Sequence, residues 1–269
     1  MGDEPEAGDL AGGELARVRA EIDALDGDLV ALLARRERLV RRAGRLTAGA
    51  TAVCDPERAV RVVRRARELA AAAAASREVA ERTYRAMVGA FVDLELLASG
   101  FATPGPAGTL LSPAGPEDAG ELLVLQRAAF AEEARRYGDP GLPAMVEPVA
   151  ELSAALAAGP ALKAVAGGRV VGSVRGRVEA GVLHVGRLVV APDRRGRGIG
   201  GALLSALERA VAGAAARAVL FTGSRSAGNL RLYARHGYAE ERREEVGRGV
   251  VLVHLGKDLP GPPPGGRPG

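Results

Sequence analysis

Two groups of residues in this chain have types and spacings that could do chemistry. The first is Arg195-Gly196-Arg197-Gly198-Ile199-Gly200, in the run RRGRGIGGALL, which follows a strand-like segment and opens a helix-like one. Glycines so placed let successive backbone N–H groups close on a phosphate, with the positive end of a helix dipole behind them. Taken alone, a Gly/Arg stretch of this kind can equally be only a turn. It lacks the Gly-Lys-Ser/Thr of a Walker loop and does not open a first βαβ unit as a dinucleotide-binding loop would. The second group is a set of arginines near the N-terminus. Extending the apolar seam of the first helix past Leu32 puts Arg36 in the same register. An arginine there must either snorkel outward or meet an anion inside the bundle. Arg19 flanks the stripe and Arg58 lies in the first turn of the second helix. Three converging arginines could hold a dicarboxylate through charge-assisted hydrogen bonds. In so arginine-rich a chain they can also be ordinary solvated side chains.

The elements that must position these groups fall into two kinds. From Leu15 the apolar residues run Val18, Ile22, Leu25, Leu29, Leu32, Leu39 and Ala43, the three-four spacing of one long amphipathic helix. Asp55, Pro56 and Glu57 open a second helix as an N-cap, a first-position proline and a dipole-matched acid. A third helix starts near Ser76 and carries Ala80, Tyr84, Met87, Phe91, Leu94 and Ala98 on one face. Three helices with so long a first member enclose too little core as a monomer, and exchange within a dimer would supply the rest. After the Pro/Gly/Ala-rich ASGFATPGPAGT the period changes. TLLSP reads as a strand, EDAGELLVLQRAAFAEEARRY as a helix, and AVAGGRVVGSVRGRVEAGVLHVGRLVVAP as three strands with glycine turns. A helix from Ile199 to Ala212, the strand AVLFTGS, the helix AGNLRLYARHG and the strand GVVLVHL complete a mixed α/β domain. The expected layout is a disordered stretch over 1–13, a helical domain over 14–98, a linker over 99–107, an α/β domain over 108–258 and a disordered tail over 259–269.

Composition narrows the functions these elements can serve. The 269 residues suffice for two domains, and at 47% hydrophobic but 3% aromatic, with no Trp, their cores must be built from Ala, Val and Leu. A single cysteine, Cys54, excludes an internal disulfide and fits a reducing cytosol. The acidic start MGDEPEAGDLAGG lacks the basic and apolar regions of a secretory signal, and no run approaches the roughly 18 apolar residues of a membrane span. A cytoplasmic protein without membrane contact is expected. The pI is near 9.7, but the net charge is only +4 and aromatics for base stacking are scarce, which favours small anionic ligands over nucleic acid.

In sequence context the glycine turn gains specificity. Strand, Arg-x-x-Gly-x-Gly, helix, strand and then NLRLYARHGY together resemble the GNAT acyltransferase superfamily over roughly residues 108 to 258. The resemblance implies acetyl-CoA as cosubstrate and no metal, with the pyrophosphate on the amides of Arg195, Gly196, Arg197, Gly198, Ile199 and Gly200. The pantetheine arm would pair with the backbone of Leu188, Val189 and Val190. Asn229 matches the family's CoA-contacting asparagine and Tyr233 its general acid, though a tyrosine at helical spacing can also be a packed aromatic. Direct attack of an amine on the thioester needs alignment, an oxyanion donor and a proton for the leaving thiolate. His184 falls where some members carry a glutamate base, and an imidazole can take a proton from an ammonium group near neutral pH. A strand histidine facing solvent or core is the other reading. The stretch EEARRYGDPGLP, with Glu133, Tyr137 and Asp139, lies at the family's variable acceptor segment and hints at a small cationic amine.

ARVRAEIDALDGDLVALLARRERLV followed by DPERA is similar to the all-helical chorismate mutases, over roughly residues 14 to 97. Those enzymes are intertwined homodimers of three-helix chains. The resemblance implies Arg36 and Arg58 in a chorismate pocket, Arg19 reaching in from the partner chain, Asp55 at the second helix start, and Glu95 where the family has Gln or Glu. Two positions depart from the pattern: Thr47 replaces the loop lysine that contacts the substrate's ether oxygen, and Ala59 replaces a glutamate. Isochorismate-pyruvate lyases accept an apolar residue at the second position but normally keep the lysine. The expectation is therefore an acetyltransferase fused to a domain that binds chorismate or a related dianion, with weak or no mutase activity. The alternatives are a non-catalytic dimerisation and ligand-sensing module, an active mutase or lyase, and a docking surface for another enzyme.

Overall fold

The computed structural model describes residues 7–46, 56–247 and 249–260. Thr47, Cys54 and Asp55 lie outside the described residues, as does the expected tail from residue 261 onward. Helix α1 spans Ala7–Gly44, starting ahead of the apolar seam that announces it. Helices α2 (Pro56–Ala72) and α3 (Arg77–Ala98) form a hairpin. Ser76 caps α3, its side chain accepting from the Val79 N–H at 3.3 Å, a bond that satisfies one orphan donor of the first turn. Val30, Leu33 and Ala34 of α1 face Met87, Ala90 and Phe91 of α3. Along the rest of α1 the seam is bare, with Leu15 and Ile22 each 50% exposed and Leu25 61%.

The second domain is built on a sheet whose order, among the described residues, is β1-β2-β3-β4-β5-β6-β8-β7. Its strands are β1 (Thr103–Pro104), β2 (Leu110–Pro113), β3 (Ala161–Ala166), β4 (Arg169–Glu179), β5 (Val182–Val190), β6 (Arg217–Gly223), β7 (Ala239–Glu245) and β8 (Val251–Asp258). Every neighbouring pair is antiparallel except β5 and β6, which run parallel and pair only over Val182–His184 and Arg217–Val219. Beyond those residues β5 stays on β4 and β6 stays on β8, so the sheet splits. Helices α4 (Ala119–Tyr137), α5 (Pro143–Val146), α6 (Val149–Ala158), α7 (Ile199–Ala210) and α8 (Ala227–Arg235) complete the domain. Leu203, Leu204 and Leu207 of α7 are fully buried with Val171, Val174 and Leu183 of the sheet. Gly172 allows that approach, because a Cβ there would lie 2.9 Å from a Leu203 methyl.

The expected helices and strands form close to where the periodicity puts them, and three features differ. The segment read as a linker supplies β1, which pairs with β2, and Leu96 at the end of α3 is buried with Ala102 against Val92, Phe101 and Leu110. A Pro/Gly/Ala composition reads alike whether the chain is loose or packed, so this joint left no signal. Strand β7 has the sequence AEERREE with every residue exposed. It is an edge strand held by backbone pairing to β8 and by cross-strand contacts such as His254–Glu244 at 2.9 Å, and charges on such an edge discourage intermolecular pairing. Helix α6, from the apolar run VAELSAALAA, buries Leu152 and Leu156 and was not assigned from sequence.

Candidate functional site

The split between β5 and β6 opens a cleft of about 500 Å³. Leu188, Val189 and Val190 line one side, and Asn229 and Tyr233 of α8 line the other. Arg195, Gly196, Gly198, Ile199 and Gly200 close the end where α7 begins. Gly196 and Gly198 have φ of 75° and 82°, values at which a side chain is strained. They turn the backbone into a concave run leading into the α7 N-terminus, a shape suited to an anion. Arg197 is exposed and does not line the cleft. The Arg195 guanidinium reaches across to α4, binding Glu132 at 2.6 Å and the Ala129 carbonyl at 2.8 Å. A Gly198→Ala replacement puts a Cβ in the left-handed region, costing about 1–2 kcal/mol. The turn then relaxes toward negative φ and its amides rotate out of the cleft. We expect acetyl-CoA binding about tenfold weaker by calorimetry, with an unchanged melting temperature for the free protein.

Tyr233 lines the cleft from its α8 wall and is buried, its ring 6.0 Å from that of Tyr238 in an edge-on arrangement. Burial, with the Glu133 carboxylate adding to it, pushes the phenol well above its ordinary range. It therefore stays protonated throughout the neutral region, which is the form a proton donor requires. Asn229 is exposed and donates to Thr222 Oγ1 at 3.3 Å.

His184 does not reach this cleft. It is exposed on β5 within the short stretch still paired to β6, opposite Val219 and before the strands part. Two carboxylates of α4 line the cleft: Glu132, paired with Arg195 and Arg136, and Glu133, which is held by no arginine among the described residues and accepts from Ser226 Oγ at 2.8 Å. That bond takes the Ser226 hydroxyl away from capping α8, which has no side-chain cap. Tyr137 Oη accepts from the Arg225 N–H at 2.9 Å, fixing the α4 C-terminus to the β6–α8 turn. The signal for this wall is the spacing Phe130, Glu133, Tyr137 on one face of α4. Asp139 lies outside the cleft and closes a turn onto the Gly141 N–H at 2.9 Å.

In the helical domain the Arg36 guanidinium stacks over the Phe91 ring at 4.4 Å. Its Nη1 is buried with no hydrogen-bond partner among the described residues. Burial lowers its pKa, partly offset by Tyr84, and Arg58 close by lowers it further. Two like charges thus face one region. The Glu95 side chain packs against Gly44, where an added Cβ would meet Glu95 Cγ at 3.0 Å. Arg19 is exposed and lies 17 residues before Arg36 on the same helix, about 25 Å away along its axis. The structure brings Arg36 and Arg58 together and leaves Arg19 apart. Asp55 lies outside the described residues.

A split mixed sheet with a glycine-built cradle at its mouth is the architecture of an α/β acyltransferase, here preceded by a helical domain. Family comparison makes both parts specific: residues 18–96 match the model for chorismate mutase type II, and residues 160–240 match that for the acetyltransferase (GNAT) domain. The chain carries a chorismate mutase type II domain followed by a GNAT acetyltransferase domain. Among solved structures, the GNAT-family acetyltransferase of Streptococcus pneumoniae is 22% identical over 56% of this chain and 99% of its own, with a TM-score of 0.47. A putative acetyltransferase of Salmonella typhimurium, solved with acetyl-CoA, is 20% identical over 57% of this chain and 95% of its own, with a TM-score of 0.47. No curated protein matches. Among the described residues no helix is long and apolar enough to cross a membrane.

Proposed function

We propose that the C-terminal domain acetylates a small-molecule amine by direct attack on acetyl-CoA. The observation that carries this reading is the cleft itself. It brings together an anion cradle, an open strand edge and a protonated phenol in one lining. Leu188, Val189 and Val190 offer the pantetheine arm backbone partners that β6 does not take up. The amine nitrogen attacks the thioester carbonyl carbon, the C–S bond breaks, and Tyr233 protonates the departing thiolate. The proton lost by the amine passes to Glu133, directly or through water, and returns to Tyr233 after release. Glu133 thus takes the role first assigned to His184. Thiol release from acetyl-CoA in the presence of an amine panel tests the reading, and an absence of acetyl-CoA binding would sink it.

The N-terminal domain, on our reading, binds chorismate or a related dianion at Arg36 and Arg58 and joins two chains through α1. The bare seam from Leu15 to Leu32 supports the dimer, since leaving Leu25, Leu29 and Leu32 about 60% exposed forfeits roughly 1.5–3 kcal/mol per fully buried side chain. A partner's α1 would also bring an Arg19 toward each pocket. We expect the full chain to sediment as a dimer and Leu25→Arg with Leu29→Arg to give a folded or partly unfolded monomer. A dimer unchanged by the double substitution would place the interface elsewhere.

A further inference from the structure

Beneath α4 lies a charged cluster that the acetyl-transfer scheme does not use. Glu147, between α5 and α6, accepts from Arg175 Nη2 of β4 at 2.5 Å and from Gln126 Nε2 of α4 at 2.7 Å. Arg187 Nε of β5 stands 3.6 Å from the same carboxylate, too far for a hydrogen bond. Arg127 adds a contact from Nη2 to the Glu147 carbonyl at 3.4 Å. Glu147, Arg175 and Arg187 are mostly buried, with side chains 10%, 16% and 26% exposed. Two guanidiniums therefore share one carboxylate, leaving a positive charge in excess in a largely desolvated place. Both are also short of acceptors: Arg187 Nε and Arg175 Nη1 are buried without a hydrogen-bond partner among the described residues. Burial opposes ionisation of Glu147, but the hydrogen bonds from Gln126 and Arg175 outweigh it and hold the carboxyl below its usual range. Burial and then Arg175, against the pull of Glu147, lower the Arg187 pKa.

The position of this excess charge matters. Arg187 immediately precedes Leu188, the first residue of the open strand edge, and has φ of 52°, a strained value for a side-chain-bearing residue. It falls where the β4–β5 register shifts, so that one extra residue of β5 is accommodated between Gly186 and Val189. Gln126 and Glu133 share a face of α4 two turns apart, about 10 Å along its axis, with Phe130 between them. Neither arginine lines the cleft itself; the links to it are Gln126, which binds Glu147 from the α4 face that carries Phe130 and Glu133, and Leu188, which follows Arg187.

We infer that the acceptor amine carries a carboxylate, as amino acids do, and that Arg187 with Arg175 binds it while Glu133 serves the amine and Tyr233 the leaving thiolate. This inference rests on the acetyltransferase reading above. A carboxylate is the counter-charge the pair lacks, and guanidiniums bind one through paired, charge-assisted bonds. Glu147 orients the two arginines, and their excess positive charge disfavours a purely cationic polyamine at this end.

The test compares acids with their amides. Protein saturated with CoA is titrated calorimetrically with N-acetylated α- and ω-amino acids of varied side chain, each against its carboxamide. In parallel, KM is measured for the free amino acids and amides in acetyl-CoA turnover. At least one acid should bind about tenfold or more tightly than its amide, with the same preference in KM and little change in kcat. Arg187→Met should abolish that preference, and Arg187→Lys should restore part of it, with CoA affinity and melting temperature unchanged. The comparison in the unaltered protein stands whether or not the variants fold. Equal binding of acids and amides, or no binding by any acid while CoA binds normally, overturns the inference and leaves the acetyltransferase reading intact. Loss of acid and amide binding alike in Arg187→Met also overturns it, and failure of CoA to bind overturns both.

Discussion

Tyr233→Phe lowers kcat for acetyl transfer about a hundred- to a thousandfold while leaving acetyl-CoA affinity within about twofold. That lies within the roughly 10²–10⁴-fold that a positioned general acid supplies. The substitution removes one hydroxyl and keeps the ring, which packs edge-on against Tyr238 and fills the base of α8. Because that ring packing is kept, stability should change little. The cradle amides and the β5 edge are untouched, which is why binding survives. Because burial and Glu133 hold the phenol above its ordinary range, the native enzyme should show no loss of activity with rising pH that tracks tyrosine ionisation below about pH 10. Stopped-flow acetyl transfer with calorimetry on the same samples separates the two parameters. A parallel loss of kcat and of acetyl-CoA binding would make Tyr233 a packing residue.

Thr47→Lys raises chorismate turnover at least about a hundredfold over the unaltered chain. The rearrangement of a bound dianion needs its carboxylates held and charge on the breaking ether oxygen stabilised. On the proposed reading Arg36, stacked over Phe91 with an Nη1 that has no partner among the described residues and with Arg58 nearby, meets the first requirement. The second is what the loop lysine of the resembling enzymes provides. Losing one such preorganised donor typically costs about 2.7–4 kcal/mol, or a hundred- to a thousandfold in rate. Restoring it should recover that factor without changing how firmly a chorismate analogue raises the melting temperature. Rapid turnover by the unaltered protein would mean another group, Arg45 for instance, supplies the charge, and would remove the ligand-sensing reading of this domain.

What the sequence revealed and concealed follows physical lines. The α1 seam, the strand–glycine–helix passage into α7 and the N-L-R-L-Y spacing of α8 are local patterns, and each fixes its element without knowledge of the rest. Ten of the residues assigned to the acetyl-transfer site, from Leu188 to Tyr233, line one cleft for that reason. His184 failed because its orientation depends on where β5 and β6 part, a tertiary fact with no sequence period. Glu133 was visible as a candidate, but its place beside Tyr233 depends on α4 crossing the split. The arginine pair beneath α4 was illegible, since Glu147, Arg175 and Arg187 come from three separate elements. Strand β7 was hidden by its own chemistry, because an edge strand made wholly of charges and alanine has no apolar alternation to read.

The early parting of β5 and β6 has a consequence for the protein as a material. A strand edge without a neighbour is a template, and it will accept any extended chain that reaches it. Here the edge lies in the cleft bordered by α4 and α8, which are clasped together by Glu133–Ser226 and Tyr137–Arg225, and on the proposed reading a slender thioester arm would enter it more readily than a second polypeptide. The same clasp that shapes a catalytic cleft guards the molecule against its own copies, and loosening it would be felt as aggregation before it was felt as lost activity.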